Sequence, residues 1–175
     1  TGARARGADD TIWLQRLERE HANLRLALMW LIEQGDAQSL VRLAGALWPF
    51  WEEHAHYREG RRWLEAALAL EGEAPAADRL RVLDGAGTMA WYEGDFAQAM
   101  RWHEQALTLA RELGEPQAEA TALNNLGVQA MEQGDNDRAA VHFEASRTGG
   151  DDDRPAQSGP ARPVEPGPGR RVAHC

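Results

Sequence analysis

"WYEGDFAQAMRWHEQAL", residues 91–107, and "MEQGDNDRAAVHFEASR", residues 131–147, carry the dipeptide Gly-Asp at the same place. Glycine is the least costly residue at the left-handed position that closes a helix. Aspartate is a strong cap for the helix that follows. Each stretch therefore reads as one helix ending and another starting within a tight turn. Sliding residues 83–107 forward by forty lays Leu83 on Leu123, Gly87 on Gly127, Ala90 on Ala130, Gly94-Asp95 on Gly134-Asp135, Ala99 on Ala139, His103 on Phe143 and Glu104 on Glu144. Sliding backward by thirty-nine lays Phe96 on Tyr57, Ala99 on Gly60, Trp102 on Trp63, Glu104 on Glu65 and Leu107 on Leu68. Three copies of a helix pair are visible, which is the signature of a repeat architecture.

The same punctuation divides the rest of the chain. Gly35-Asp36 separates a segment beginning near Asp10 from one beginning near Ala37. Gly114-Glu115-Pro116 separates two copies, with Pro116 suited to a first helical turn. "EGEAPA", residues 71–76, does so again. The pattern predicts seven helices, at 10–34, 37–55, 57–70, 77–93, 96–113, 116–133 and 136–147. Pro49, in "ALWPFWEEH", falls inside the second helix near Gly45 and predicts a kink or a short break.

Four regions follow. Residues 1–9 read as a linker or leader, 10–36 as a long N-terminal helix, and 37–147 as about three helix pairs. Residues 148–175 hold five of the chain's eight prolines and no aromatic residue. They read as a disordered tail, or as out-of-frame or artefactual sequence, because the repeat pattern stops in mid-helix there. The chain opens on Thr1, which suggests a fragment of something longer.

Composition bounds the function. A hydrophobic fraction of 43% supports a sizeable core. No apolar run reaches membrane-spanning length, and no signal peptide opens the chain. The single cysteine, Cys175, gives neither a disulfide framework nor a zinc site, so a reducing cytoplasm is expected. A net charge of −9 argues against gripping a nucleic-acid backbone. Every basic residue is an arginine, so no phosphate-binding Gly-x-x-x-x-Gly-Lys-Ser/Thr loop exists and no lysine is present to build one.

The repeats resemble the tetratricopeptide family (TPR). The small residues of that pattern fall on Gly87 and Gly127 in the first helix of a pair, and on Gly60, Ala99 and Ala139 in the second. A large residue follows one turn later at Leu64, His103 and Phe143, then a small one at Ala67, Ala106 and Ser146. Trp48 departs from the pattern, standing where the first pair should have its small residue. The resemblance implies an all-α, right-handed α-solenoid. The front of the chain, "WLQRLEREHANLRLALMWLIEQGD" followed by "RLAGALWPFWEEHAHYREGRRWLEAAL", resembles the region after the ATPase module in bacterial LuxR-type, NB-ARC-like signal-transducing regulators. That likeness implies a cytoplasmic protein-interaction or sensor scaffold in a transcriptional regulator. A free-standing adaptor that binds a peptide is the alternative.

No catalytic, cofactor or metal set is expected. His54 and His56, beside Glu52 and Glu53, are two apart and so point to different faces of a helix, which reads as a solvated helix end. Gly-x-Ser-x-Gly is absent, and the only histidine beside a cysteine is His174 in the tail. The seven tryptophans read mostly as core. The expected functional surface is the inner face of the solenoid. Arg81, Asp84, Thr88 and Trp91 recur at helical spacing, and Thr121, Asn124, Val128 and Met131 are their equivalents. The resemblance makes that face a concave groove for a protein or peptide, including the regulator's own ATPase module. Neither nucleic acid nor membrane is expected as a partner.

Overall fold

The computed structural model describes the backbone of residues 2–149 and the side chains of 16–148. Among these residues the chain is all-helical: α1 Gly2–Gln34, α2 Ala37–Glu53, α3 Tyr57–Ala69, α4 Ala76–Tyr92, α5 Phe96–Leu113, α6 Pro116–Glu132 and α7 Asn136–Gly149. Six of the seven start where the sequence places them, to within a residue. The exception is α1, which begins at Gly2, so the stretch expected as a linker is helical; its Ala-Arg-Ala-Arg run is made of strong helix formers. The expected tail beyond 149 lies outside the described residues. No described helix is long and apolar enough to cross a membrane.

The Gly-Asp turns have one geometry. Gly35, Gly94 and Gly134 adopt φ of 68°, 80° and 79°. The aspartate that follows donates its N–H back to the carbonyl of Leu31, Ala90 or Ala130 at 2.9–3.0 Å. Its side chain then accepts from the backbone of Ser39, Gln98 or Arg138 at 3.0–3.2 Å. One turn departs from this. Between α2 and α3 the left-handed residue is Ala55, at φ 55°, and His56 stands in the aspartate's place. His56 N–H still reaches the Trp51 carbonyl at 2.8 Å, but its side chain makes no cap.

Close crossings hold the pairs together. A Cβ added to Gly87 would meet the His103 imidazole, and one added to Gly127 would lie 2.7 Å from Phe143. The two glycines are equivalent, as are the two rings, so one packing solution is used twice. Gly60 is crowded by Trp51, and Ala99 and Ala139 are buried. Trp48, the departure from the pattern, does not loosen the first pair. Its indole lies over Gly85 of α4, where a Cβ would come within 2.7 Å. Pro49 does not break α2 either; the helix runs from Ala37 to Glu53 with Pro49 exposed inside it.

The largest core runs through α1 to α4 around Leu28, Leu40, Phe50, Trp51, Trp63 and Leu64. A smaller one joins α4, α5 and α6 around Leu83, Ala106, Ala110 and Ala122. Trp30 is not core: with Leu26 and Met29 it forms an exposed apolar stripe along α1, each residue at least 48% exposed.

Candidate functional site

Glycine at position 85 lets α2 seat Trp48 directly on α4. The residue at the same place in α6 is Asn125, whose side chain reaches across to donate to Asp84 Oδ1 at 2.9 Å. α4 and α6 are therefore spaced by polar side chains, not by a close backbone crossing. A cavity of about 250 Å³ opens beside them. Its walls are Trp48 and Glu52 of α2, Asp84, Thr88, Trp91 and Tyr92 of α4, and Thr121, Asn125, Val128 and Gln129 of α6, with His103 of α5 contributing from below.

Of the eight residues on the two expected stripes, Asp84, Thr88, Trp91, Thr121 and Val128 line this cavity. Arg81 is exposed and borders a neighbouring depression with Asp78 and Thr121 close by. Asn124 and Met131 are exposed and line neither. On α6, Asn125 and Gln129 complete the wall, each one position round the helix from the expected Asn124 and Val128. The expected packing residues Gly60, Gly87, Ala99, Gly127 and Ala139 sit at helix crossings, away from the cavity walls.

The floor is a buried polar cluster. His103 is 2% exposed and Gln129 3%. The Gln129 amide lies 2.7 Å from His103 Nδ1, and Asn125 Nδ2 lies 3.4 Å from Nε2. Asp84 Oδ1 is 3.8 Å from the same Nε2. Burial dominates the electrostatics of both titratable groups. It depresses His103 to about 4, opposed by hydrogen bonding to the Asp84 backbone and to the Gln129 side chain. It raises Asp84 to about 6, opposed by the Asn125 amide. At neutral pH the imidazole is uncharged and the carboxylate ionised. The Gln129 amide has two polar ends and only one is used; Oε1 has no partner among the described residues, nor does Trp91 Nε1. The cavity thus combines aromatic walls with unspent hydrogen-bonding capacity, the usual composition of a recognition site.

Sequence reasoning placed His103 in a packing role. The signal that it is more lies in its equivalents, since Leu64 and Phe143 are apolar and only the middle copy is polar.

A second constellation stands apart from the cavity. Glu18, His21 and His56 each offer a ligand atom within 4.8 Å of the others, the one such group among the described residues. His56 lies against α1: the His21 and His56 rings stack at 4.9 Å, while His54 stacks on His56 at 6.1 Å from the α2 side.

No known family model matches the chain. Over 141 residues, 76% of its length, it is 34% identical to provisionally named HTH-type transcriptional regulators of Mycobacterium bovis and of two strains of Mycobacterium tuberculosis. The chain spans 16% of the length of these relatives, so the likeness is to one segment of a much larger protein.

Proposed function

We propose that residues 37–147, preceded by the long helix 10–36, form a right-handed, TPR-like α-solenoid of about three helix pairs. It serves as the interaction and sensor scaffold of a bacterial transcriptional regulator of the signal-transducing ATPase class. The observation that carries this reading is the cavity flanked by α2, α4 and α6, with aromatic walls and a partly unsatisfied polar floor. Likeness to a segment of much longer HTH-type regulators supports placing the scaffold in such a protein. Three Gly-Asp turns share one geometry, and the crossings at Gly87 and Gly127 share another, which supports a stacked-repeat arrangement. On this reading the segment performs no chemistry of its own and acts in the cytoplasm. The parent's ATPase and DNA-binding modules do the rest. The exposed stripe of Leu26, Met29 and Trp30 on α1 suits coverage by a neighbouring module of that parent.

Site-specific photocrosslinking tests the reading. A crosslinker at Thr88, in the cavity wall, should capture a discrete protein or peptide partner in a related bacterium. The same probe at Gln105, exposed on the outer helix α5, serves as the control. Equal capture of the same species from both positions would remove the cavity from the function.

A further inference from the structure

We infer that Glu18, His21 and His56 form a binding site for a first-row divalent cation of the zinc class, which pins α1 to the turn between α2 and α3. The turn between α2 and α3 breaks the rule that the Gly-Asp turns keep. Three turns carry Gly-Asp, and each aspartate caps the next helix. At the equivalent position the chain carries His56, which caps nothing, preceded by Ala55 in a left-handed conformation that favours glycine. A side-chain cap stabilises the helix that it opens. The sequence gives up a cap and tolerates backbone strain at one place, and the residue found there is an imidazole.

That imidazole is aimed at other ligands. His56 Nε2 is buried, has no hydrogen-bond partner among the described residues, and lies 3.7 Å from Glu18 Oε2. Glu18 and His21 are three residues apart on α1, so they share one face. In a tetrahedral zinc site with bonds of about 2.0–2.2 Å, ligand atoms stand about 3.4 Å apart. The observed separations, up to 4.8 Å, close by small side-chain rotations. His21 is already oriented: its Nε2 lies 3.2 Å from Glu59 Oε1. Glu59 is itself fixed by Arg25 Nε at 2.6 Å and by Trp63 Nε1 at 3.3 Å. A carboxylate behind a ligating imidazole is the usual outer support of such sites.

The donor set selects the ion. Two imidazoles and one carboxylate suit zinc, cobalt, nickel or copper, whereas magnesium and calcium require oxygen donors. Three protein ligands leave the fourth position to water or to a group from a partner. α1 packs chiefly on α2, so an ion held here would fix the long helix against the repeats.

The test is calorimetric titration of the full 1–175 chain with zinc sulphate, in a background carrying His174→Ala and Cys175→Ser to remove the terminal donors. One zinc per chain should bind, with no comparable uptake of magnesium or calcium. His21→Ala and His56→Asn should each weaken binding at least tenfold, and Glu18→Gln should weaken it measurably. Asn is a good cap, so His56→Asn should melt no lower than its parent, which separates loss of the site from loss of the fold. Glu18 is about half exposed and provides a second variant that leaves packing alone. His142→Ala, remote from the site, should bind as the parent does. Zinc affinity unchanged in His21→Ala and His56→Asn, or no saturable uptake below millimolar zinc, overturns the proposal.

Discussion

The Gln129 amide meets His103 Nδ1 at 2.7 Å, at two positions where the neighbouring copies are apolar. Forty residues on, His103 becomes Phe143; forty residues back, Gln129 becomes Met89. A polar pair has replaced a hydrophobic one in the core of the middle copy. Buried polar pairs contribute little net stability, yet breaking one is costly because its partner is left unsatisfied.

This gives a double-mutant cycle with a definite sign. His103→Phe alone should lower stability by about 1–3 kcal/mol, because both ends of the buried Gln129 amide then lack partners. Adding Gln129→Met should restore stability to the parent's level or above. Denaturant unfolding of the four proteins reads the coupling. Additive effects would show that the two side chains do not act as a pair.

The crossings are equally testable. Gly127→Ala drives a Cβ to 2.7 Å from Phe143 and should cost about 1–3 kcal/mol by overpacking. Ala99 is fully buried where α5 crosses back. Ala99→Arg should cost more, since a buried charge is added to the overpacking. A parent-like thermal midpoint for Ala99→Arg would refute the repeat register.

The fold was legible because its instructions are local. Gly94-Asp95 and Gly134-Asp135 state where helices stop and start, and Gly87 and Gly127 state where they touch. The cavity was legible in part. Spacing along α4 identified Asp84, Thr88 and Trp91, because that helix is fixed on both sides. On α6 the same spacing identified Thr121 and Val128 but also chose Asn124 and Met131, where Asn125 and Gln129 face the site. Which way α6 turns depends on Asn125 reaching Asp84, a contact across 41 residues that periodicity does not encode. The His21–His56 stack was hidden for the same reason: its members lie on different helices.

The turn after α2 offers a stabilising substitution. Ala55 sits at φ 55°, where an L-residue costs roughly 1–2 kcal/mol and glycine does not. Gly gives back part of that through greater freedom in the unfolded chain. Ala55→Gly should therefore gain about 0.5–1 kcal/mol net, while Gly94→Ala, the mirror change in the next copy, should lose a similar amount. Equal and opposite shifts in denaturation midpoint are expected; destabilisation by both would mean that the two turns are not equivalent.

The last prediction concerns pH, and it rests on two groups that pull in opposite directions. Folded Asp84 titrates near 6, above an ordinary carboxyl near 3.9, so it keeps a proton that the unfolded chain has released. Its contribution is full below about pH 4 and is lost as pH rises towards 6. Folded His103 titrates near 4, below an ordinary imidazole near 6.5, so the unfolded chain takes up the proton first. Its contribution is full above about pH 6.5 and is lost as pH falls towards 4. Between pH 5 and 6 the two slopes oppose each other, and the parent should be nearly flat. Glu59 stays out of this window. Burial alone would raise it, but hydrogen bonds from Arg25 and Trp63 bring it down to about 2, so its own loss falls below about pH 4.5. Asp84→Asn should then gain stability with rising pH between 5 and 6, and His103→Phe should lose it. Each slope should be of the order of 1 kcal/mol per pH unit, the scale set by one proton. The slopes are read from denaturation midpoints at constant ionic strength, and absolute stabilities do not enter. Parallel pH profiles for the parent and both variants would show that neither group is held in the altered state that its burial dictates.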